Sequence, residues 1–135
     1  MKYLIDSDVL IDILLGKAWA VALYELLKQG GAAISAMTYG EVWEGIEANP
    51  ARTDAIDTLD DIVGPLRVLD IDVPTMHIYG RIRVHLRKHG EIIGTPDILI
   101  ASTAIEHKLT LVTRNTRHFG RIPNLKILHP SEFGS

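Results

Sequence analysis

Five short apolar runs punctuate the chain, and the stretches between them carry apolar residues at helical spacing. The runs are Tyr3-Leu4-Ile5, Ala32 to Ser35, Leu66 to Leu69, Thr110 to Thr113 and Lys126 to Leu128. A run this short, bounded by polar residues, reads as a buried strand, whereas recurrence every three or four residues reads as one face of a helix. Short apolar strands that alternate with helices argue for a parallel sheet covered by helices on both faces. The expected class is α/β.

The helical stretches have recognisable starts and stops. Val9, Leu10, Ile13 and Leu14 recur after the first strand, and Trp19, Val21, Ala22, Leu26 and Leu27 form the stripe of a helix from Ala18 to Lys28 that Gly30-Gly31 closes. Val42, Trp43 and Ile46 predict another, which stops near Asn49-Pro50 because the residue before a proline is pushed out of the helical region. Ala51 to Ile62 is a more polar helix, and Gly64-Pro65 is a turn. Pro74 suits a first helical turn, with Met76, Tyr79, Ile82, Val84 and Leu86 carrying that helix to Gly90. Thr95-Pro96-Asp97 predicts a helix start with Thr95 as the cap, ahead of the most apolar helix, Ile98 to Leu109.

A chain of 135 residues fits one domain, and at that size it buries roughly two thirds of its unfolded surface. With no cysteine and 47% apolar residues, a packed core supplies the stability that disulfides give small secreted domains, so the reading is intracellular and cytoplasmic. Asp6, Asp8 and Asp12 interrupt the apolar N-terminal stretch and no small-residue cleavage site follows, which argues against a signal peptide. No run approaches the ~18 apolar residues of a membrane span. A net charge of -3 argues against non-specific coating of nucleic acid. It leaves room for a nucleic-acid enzyme, because a metal site needs acids. The domain is expected over residues 1–131, with Glu132 to Ser135 read as a cloning remnant.

In parallel sheets of this kind ligands bind beyond the carboxyl ends of the strands. The polar residues found there are Asp6, Ser7 and Asp8, then Ser35 to Glu41, then Asp70 and Asp72, then Arg114-Asn115-Thr116. Hard divalent cations take oxygen ligands, and Mg²⁺ keeps several waters while one or two carboxylates hold it. Asp6 ends the first strand, Glu41 lies one or two turns into the helix after the second, and Asp97 opens the helix before the fourth. Spacing and composition mark a candidate metal site and nothing more.

Four segments carry a resemblance: Tyr3-Leu-Ile-Asp-Ser-Asp-Val-Leu-Ile11, Ser35-Ala-Met-Thr-Tyr-Gly-Glu-Val-Trp43 with Gly45, Gly94-Thr-Pro-Asp-Ile-Leu-Ile-Ala-Ser102, and Leu111-Val-Thr-Arg-Asn-Thr-Arg-His-Phe119 followed by Ile122-Pro-Asn-Leu125. In this order and spacing the sequence resembles the PIN-domain ribonucleases, most closely the VapC toxins of prokaryotic toxin-antitoxin operons. The resemblance implies a three-layer α/β/α sandwich with a five-stranded parallel sheet in the order 3-2-1-4-5. It also implies RNA cleavage dependent on Mg²⁺ or Mn²⁺, a cognate VapB-like antitoxin encoded beside the enzyme, and a homodimer.

The family's acids fall on Asp6, Glu41 and Asp97, and its fourth position falls on Asn115, where many relatives carry Asp. On that reading Asp6 and Asp97 ligate the metal, Glu41 orients a water or acts as general base, and Asn115 hydrogen-bonds the water or phosphate. Thr113 and Thr116 are supporting candidates, and Arg114, Arg117 and Arg121 are candidates for phosphate contact.

Each residue also has a plain structural use. Thr38 and Glu41 have the spacing of a capping box, Asp97 suits the helix dipole, and Asp8 suits a helix cap. His85 and His89 have the spacing of a zinc pair but lack the intervening glutamate and a third ligand. Arg81, Arg83, Arg87 and Lys88 read as a solvated face, and Trp19 and Trp43 as core or subunit contacts. Two other functions fit parts of the pattern. A phosphotransferase of the haloacid dehalogenase type would use Asp6 as nucleophile, Asp8 as general acid and Ser35 on phosphate, though no lysine motif followed by paired acids is present. A non-catalytic RNA- or protein-binding relative would not need Asp6, Glu41 and Asp97 together. No G-x-S-x-G elbow or phosphate-binding glycine loop occurs.

Overall fold

A computed structural model describes residues 1–133. The elements run β1 (Tyr3–Ile5), α1 (Ser7–Leu14), α2 (Ala18–Gly30), β2 (Ala32–Ser35), α3 (Ala36–Glu47), α4 (Arg52–Val63), β3 (Arg67–Leu69), α5 (Val73–Lys88), α6 (Thr95–Glu106), β4 (Thr110–Val112), α7 (Thr116–Phe119) and β5 (Ile127–Leu128), closed by a 3₁₀ turn at Pro130–Glu132. The strands form one parallel sheet in the order β3-β2-β1-β4-β5. That is the expected order.

Alternation along β1 divides the core between the two faces of the sheet. Leu4 packs with Ile82, Leu86, Ile98, Ile100 and Phe119 from α5, α6 and α7. Ile5 packs with Val9, Leu10, Leu23, Leu27, Val42 and Leu59 from α1 to α4. Both are fully buried, and burying each contributes about 1.5 to 3 kcal/mol. The Tyr24 hydroxyl donates to the Ile62 carbonyl at 2.7 Å, which ties α2 to α4.

The helix ends correct several expectations. Gly94 caps α6 and Thr95 is its first residue; the Thr95 hydroxyl instead accepts from the Arg83 guanidinium at 2.8 Å. Ser35 caps α3, accepting from the Met37 N–H at 3.0 Å, so Thr38 and Glu41 lie within the helix and form no capping box. Asp72, expected among residues worth inspecting for the site, caps α5 through a reciprocal bond with Thr75 that holds its carboxyl below the ordinary value. On α2 the buried face is Ala20, Leu23, Tyr24 and Leu27, while Trp19, Val21 and Leu26 are exposed. Two stripes one position apart both have helical spacing there, and the one that carries Leu23, Tyr24 and Leu27 is the one buried in the core.

Glu132 closes the 3₁₀ turn and Phe133 packs edge-on against Tyr3 with ring centroids 5.2 Å apart; Gly134 and Ser135 lie outside the described residues. Among the described residues no helix is long and apolar enough to cross a membrane.

Candidate active site

β1 is the middle strand, so the residue that follows it is flanked by the ends of β2 and β4. That residue is Asp6. It leaves the sheet in an extended conformation and caps α1, its Oδ1 accepting from the Ser7 N–H at 2.8 Å. Its Oδ2 accepts from the Thr113 hydroxyl at 2.7 Å, and that hydroxyl accepts from the Asn115 N–H at 3.0 Å. The Ser7 hydroxyl donates to Glu41 Oε1 at 2.7 Å and lies 3.1 Å from the Thr38 hydroxyl. A continuous path of hydrogen bonds therefore runs Glu41, Ser7, Asp6, Thr113, Asn115.

Asp97 stands in the first turn of α6, with Oδ2 at 2.8 Å from Nε2 of His118 on α7. Burial pushes the Asp6 carboxyl from its ordinary 3.8 up to about 7; the charges of Asp8 and Asp97 add to the rise, and the bonds from Thr113 and Ser7 oppose it. Asp97 is thus close enough for Asp6 to feel its charge. Asp6 is 5% exposed, so little water is available to stabilise its ionised form.

Among the described residues no three His, Asp or Glu side chains gather into a ready-made metal group. A hard divalent ion does not need one, since one or two carboxylates and water suffice. Asp6 is an oxygen donor whose ionised form lacks a counter-charge, and no described residue donates to Asp97 Oδ1. The donor set fits Mg²⁺ or Mn²⁺.

Asp8 is not the cap of α1, because Asp6 is. Asp8 accepts from the Arg114 N–H at 3.2 Å, and the Arg114 side chain pairs with Asp12 at 3.0 Å and lies over the Trp19 ring, 5.8 Å from its centroid. Asp12, buried, also pairs with Lys17 at 2.9 Å. Arg114 is thereby held by acids beside the path, whereas Arg117 is exposed on α7 and has no ion-pair partner among the described residues. Thr116 opens α7, half-buried. Ser35 is fully buried and caps α3, so the phosphate-ligand role of the phosphotransferase reading has no exposed hydroxyl to fill it, and Asp8 is engaged through Oδ2 by the Arg114 N–H.

Sequence reading gives no site role to His118 or Asp12, and names Ser7 only among the polar residues at the sheet's edge, without the bond to Glu41. His118 lies three residues past Asn115, the spacing of neighbours on a short helix.

A cavity of about 430 Å³ opens beside the path, between α1, α3 and α4. Ile11, Leu14, Leu15, Val42 and Ile46 line it, with Glu41 and Asp54 as its acidic lining residues. Ile11 and Leu15 are 43% and 68% exposed, an apolar edge left open to solvent.

Comparison with known proteins gives a consistent neighbourhood. A family model described as PIN domain matches residues 3–125. The chain is similar to Ribonuclease VapC2 of Rickettsia felis, 37% identical over 100 residues that cover 74% of this chain and 75% of that protein. It is similar to the tRNA(fMet)-specific endonuclease VapC of Shigella flexneri, 30% identical over 126 residues covering 93% of this chain and 96% of that one. Among solved structures it resembles VapBC2 from Rickettsia felis bound to a DNA fragment from its promoter, with a TM-score of 0.89 and 30% identity over 96% of this chain and 98% of that one. DNA-bound VapBC from Salmonella typhimurium gives a TM-score of 0.90 at 28% identity, over the same shares.

Proposed function

The chain belongs to the PIN-domain family, and on that premise we propose that it is an endoribonuclease dependent on Mg²⁺ or Mn²⁺, the toxin of a type II toxin-antitoxin pair. The observation that carries the reading is the hydrogen-bonded path from Glu41 through Ser7 and Asp6 to Thr113, placed beyond the sheet where ligands of parallel sheets bind.

Asp6 and Asp97 would hold the cation, which when bound supplies a positive charge for the scissile phosphate and the leaving oxygen and acidifies a water. Glu41, fixed by Ser7, is placed to take a proton from the attacking water. Thr113 keeps Asp6 in one orientation, and the Asn115 amide can hydrogen-bond the water or a phosphate oxygen. Arg117, exposed and without an ion-pair partner among the described residues, is better suited to contact phosphate than Arg114, with Thr116 beside it. Such contacts set the register of the strand rather than read its sequence. The proposed location is the cytoplasm, where cellular RNA is available as substrate.

The partner is a VapB-like antitoxin. The apolar cavity between α1, α3 and α4 can take an apolar segment of it, and Glu41 in its lining gives a basic residue of that segment a counter-charge next to the site. The toxin itself is proposed to be a homodimer, as the family resemblance implies. Sedimentation of a strict monomer at micromolar concentration would count against it, and co-expression with a neighbouring small reading frame that yields no complex would remove the partner.

For the activity, purified protein should cut single-stranded or loop RNA with Mg²⁺ or Mn²⁺ and leave small phosphate esters intact. Asp6→Asn or Asp97→Asn should remove cleavage. Cutting that survives in excess EDTA, or in both variants, would overturn the metal-ligand assignment.

A further inference from the structure

His118 belongs to none of the acidic positions, yet it makes the one hydrogen bond in which Asp97 engages another described side chain. Its other ring nitrogen, Nδ1, lies 2.8 Å from Nη2 of Arg121. A guanidinium has only donors, so Nδ1 must accept. A neutral ring that accepts at Nδ1 carries its proton on Nε2, and Nε2–H then donates to Asp97 Oδ2. The direction of both bonds is fixed by chemistry alone.

Arg121 is itself anchored. Its Nε donates to the His118 carbonyl at 3.2 Å, Nη2 also donates to the Ile92 carbonyl at 3.2 Å, and Nε lies 3.7 Å from the Glu91 carboxylate. Glu91 and Ile92 belong to the segment that leads into α6, and His118 rides on α7, whose Phe119 is buried at 1% exposure. One guanidinium therefore joins the segment that delivers Asp97 to the short helix that delivers His118.

We propose that His118 is a positioning residue for Asp97: its Nε2–H, directed by Arg121, holds Oδ2 and leaves Oδ1 to a divalent cation. A neutral donor orients the carboxylate without cancelling its charge. The arrangement is the converse of a metal-bound histidine steadied by a carboxylate, and partners of that kind change metal affinity by about 10- to 100-fold when removed. The inference rests on the nuclease reading for the cation, and on the hydrogen bonds alone for the tautomer.

Two measurements test it. Nitrogen-15 spectra of the metal-free wild type at pH 8 should show His118 as the Nε2–H tautomer; an Nδ1–H or doubly protonated ring overturns the proposal. Mn²⁺ binding, followed by the loss of free-ion electron paramagnetic resonance, should weaken at least about tenfold in His118→Leu and stay within about threefold of wild type in His118→Gln, whose amide can donate to the same oxygen. Thermal melts confirm that both variants are folded. A His118→Leu protein that binds Mn²⁺ as wild type does, or a Gln variant as weak as Leu, removes the positioning role. A wild type that binds no Mn²⁺ overturns both this role and the metal-dependent reading, whereas RNA cleavage that fails while Mn²⁺ binding and its response to His118 hold leaves this inference standing and sinks only the nuclease.

Discussion

At the scale of single residues, Asp6 sets function against stability. Unfolded, its carboxyl ionises near 3.8; folded, near 7, chiefly because it is buried. Between those values the folded state holds a proton that the unfolded state has lost, so stability falls as pH rises across that window. The contribution is fully favourable below about pH 4 and is gone by about pH 7, a swing of roughly 4 kcal/mol at most. Asp6→Asn removes it. In EDTA the variant should gain stability relative to wild type as pH is raised from 4 to 7, read as the difference between two denaturant titrations. A difference that does not change with pH would contradict the origin assigned to the shift. Saturating Mg²⁺ should then stabilise wild type by about 2.7 kcal/mol at 100 times its dissociation constant, and the variant much less. Asp97→Asn is the less clean probe, because Asp97 also bonds His118.

Between elements, two junctions position the site, and each has a residue on which it depends. α7 is only four residues long, too short to persist alone, and Phe119 anchors it in the core. Phe119→Ala should cost about 3 to 5 kcal/mol in a denaturant melt and free the segment that carries Asn115 and His118. At the α2–β2 junction Gly31 has φ +82°, and a Cβ there would meet the Met1 Cα at 2.9 Å. Gly31→Ala should cost about 1 to 3 kcal/mol, with unchanged stability as the result that would refute the strain. These junctions also show what was legible in the sequence. Strand ends announce themselves, since an apolar run that stops at Asp6, or at Arg114 and Asn115, marks the sheet's carboxyl edge without any structure. α7 has no room for a helical period, so nothing in the sequence pointed His118 at Asp97. Nor could spacing choose between the two stripes of α2, or see that Glu41 would be held by Ser7 rather than by a cap; those outcomes depend on what packs opposite.

Over the whole molecule the two halves of the core meet through β1, where Leu4 serves one face and Ile5 the other. Either residue replaced by Ala should cost about 2 to 5 kcal/mol and leave one cooperative transition. Trp43 packs against the α1–α4 side, and circular dichroism samples every helix. Coincident curves from the two signals are expected in both variants; separated curves would mean that the faces unfold independently.

The strand order also governs when the parts become available during synthesis. Tyr3 pairs with Ala32 on one side but with Thr110 on the other, so the middle of the sheet waits for one of its neighbours while most of the polypeptide is made. At about 5 to 20 residues per second that wait lasts roughly 5 to 20 seconds. The residues that line the apolar cavity, Ile11 to Thr58, all leave the ribosome before Asp97, Thr113 and His118. If that cavity seats the antitoxin as proposed, a nascent chain carries the seat for its antidote before it carries a complete blade.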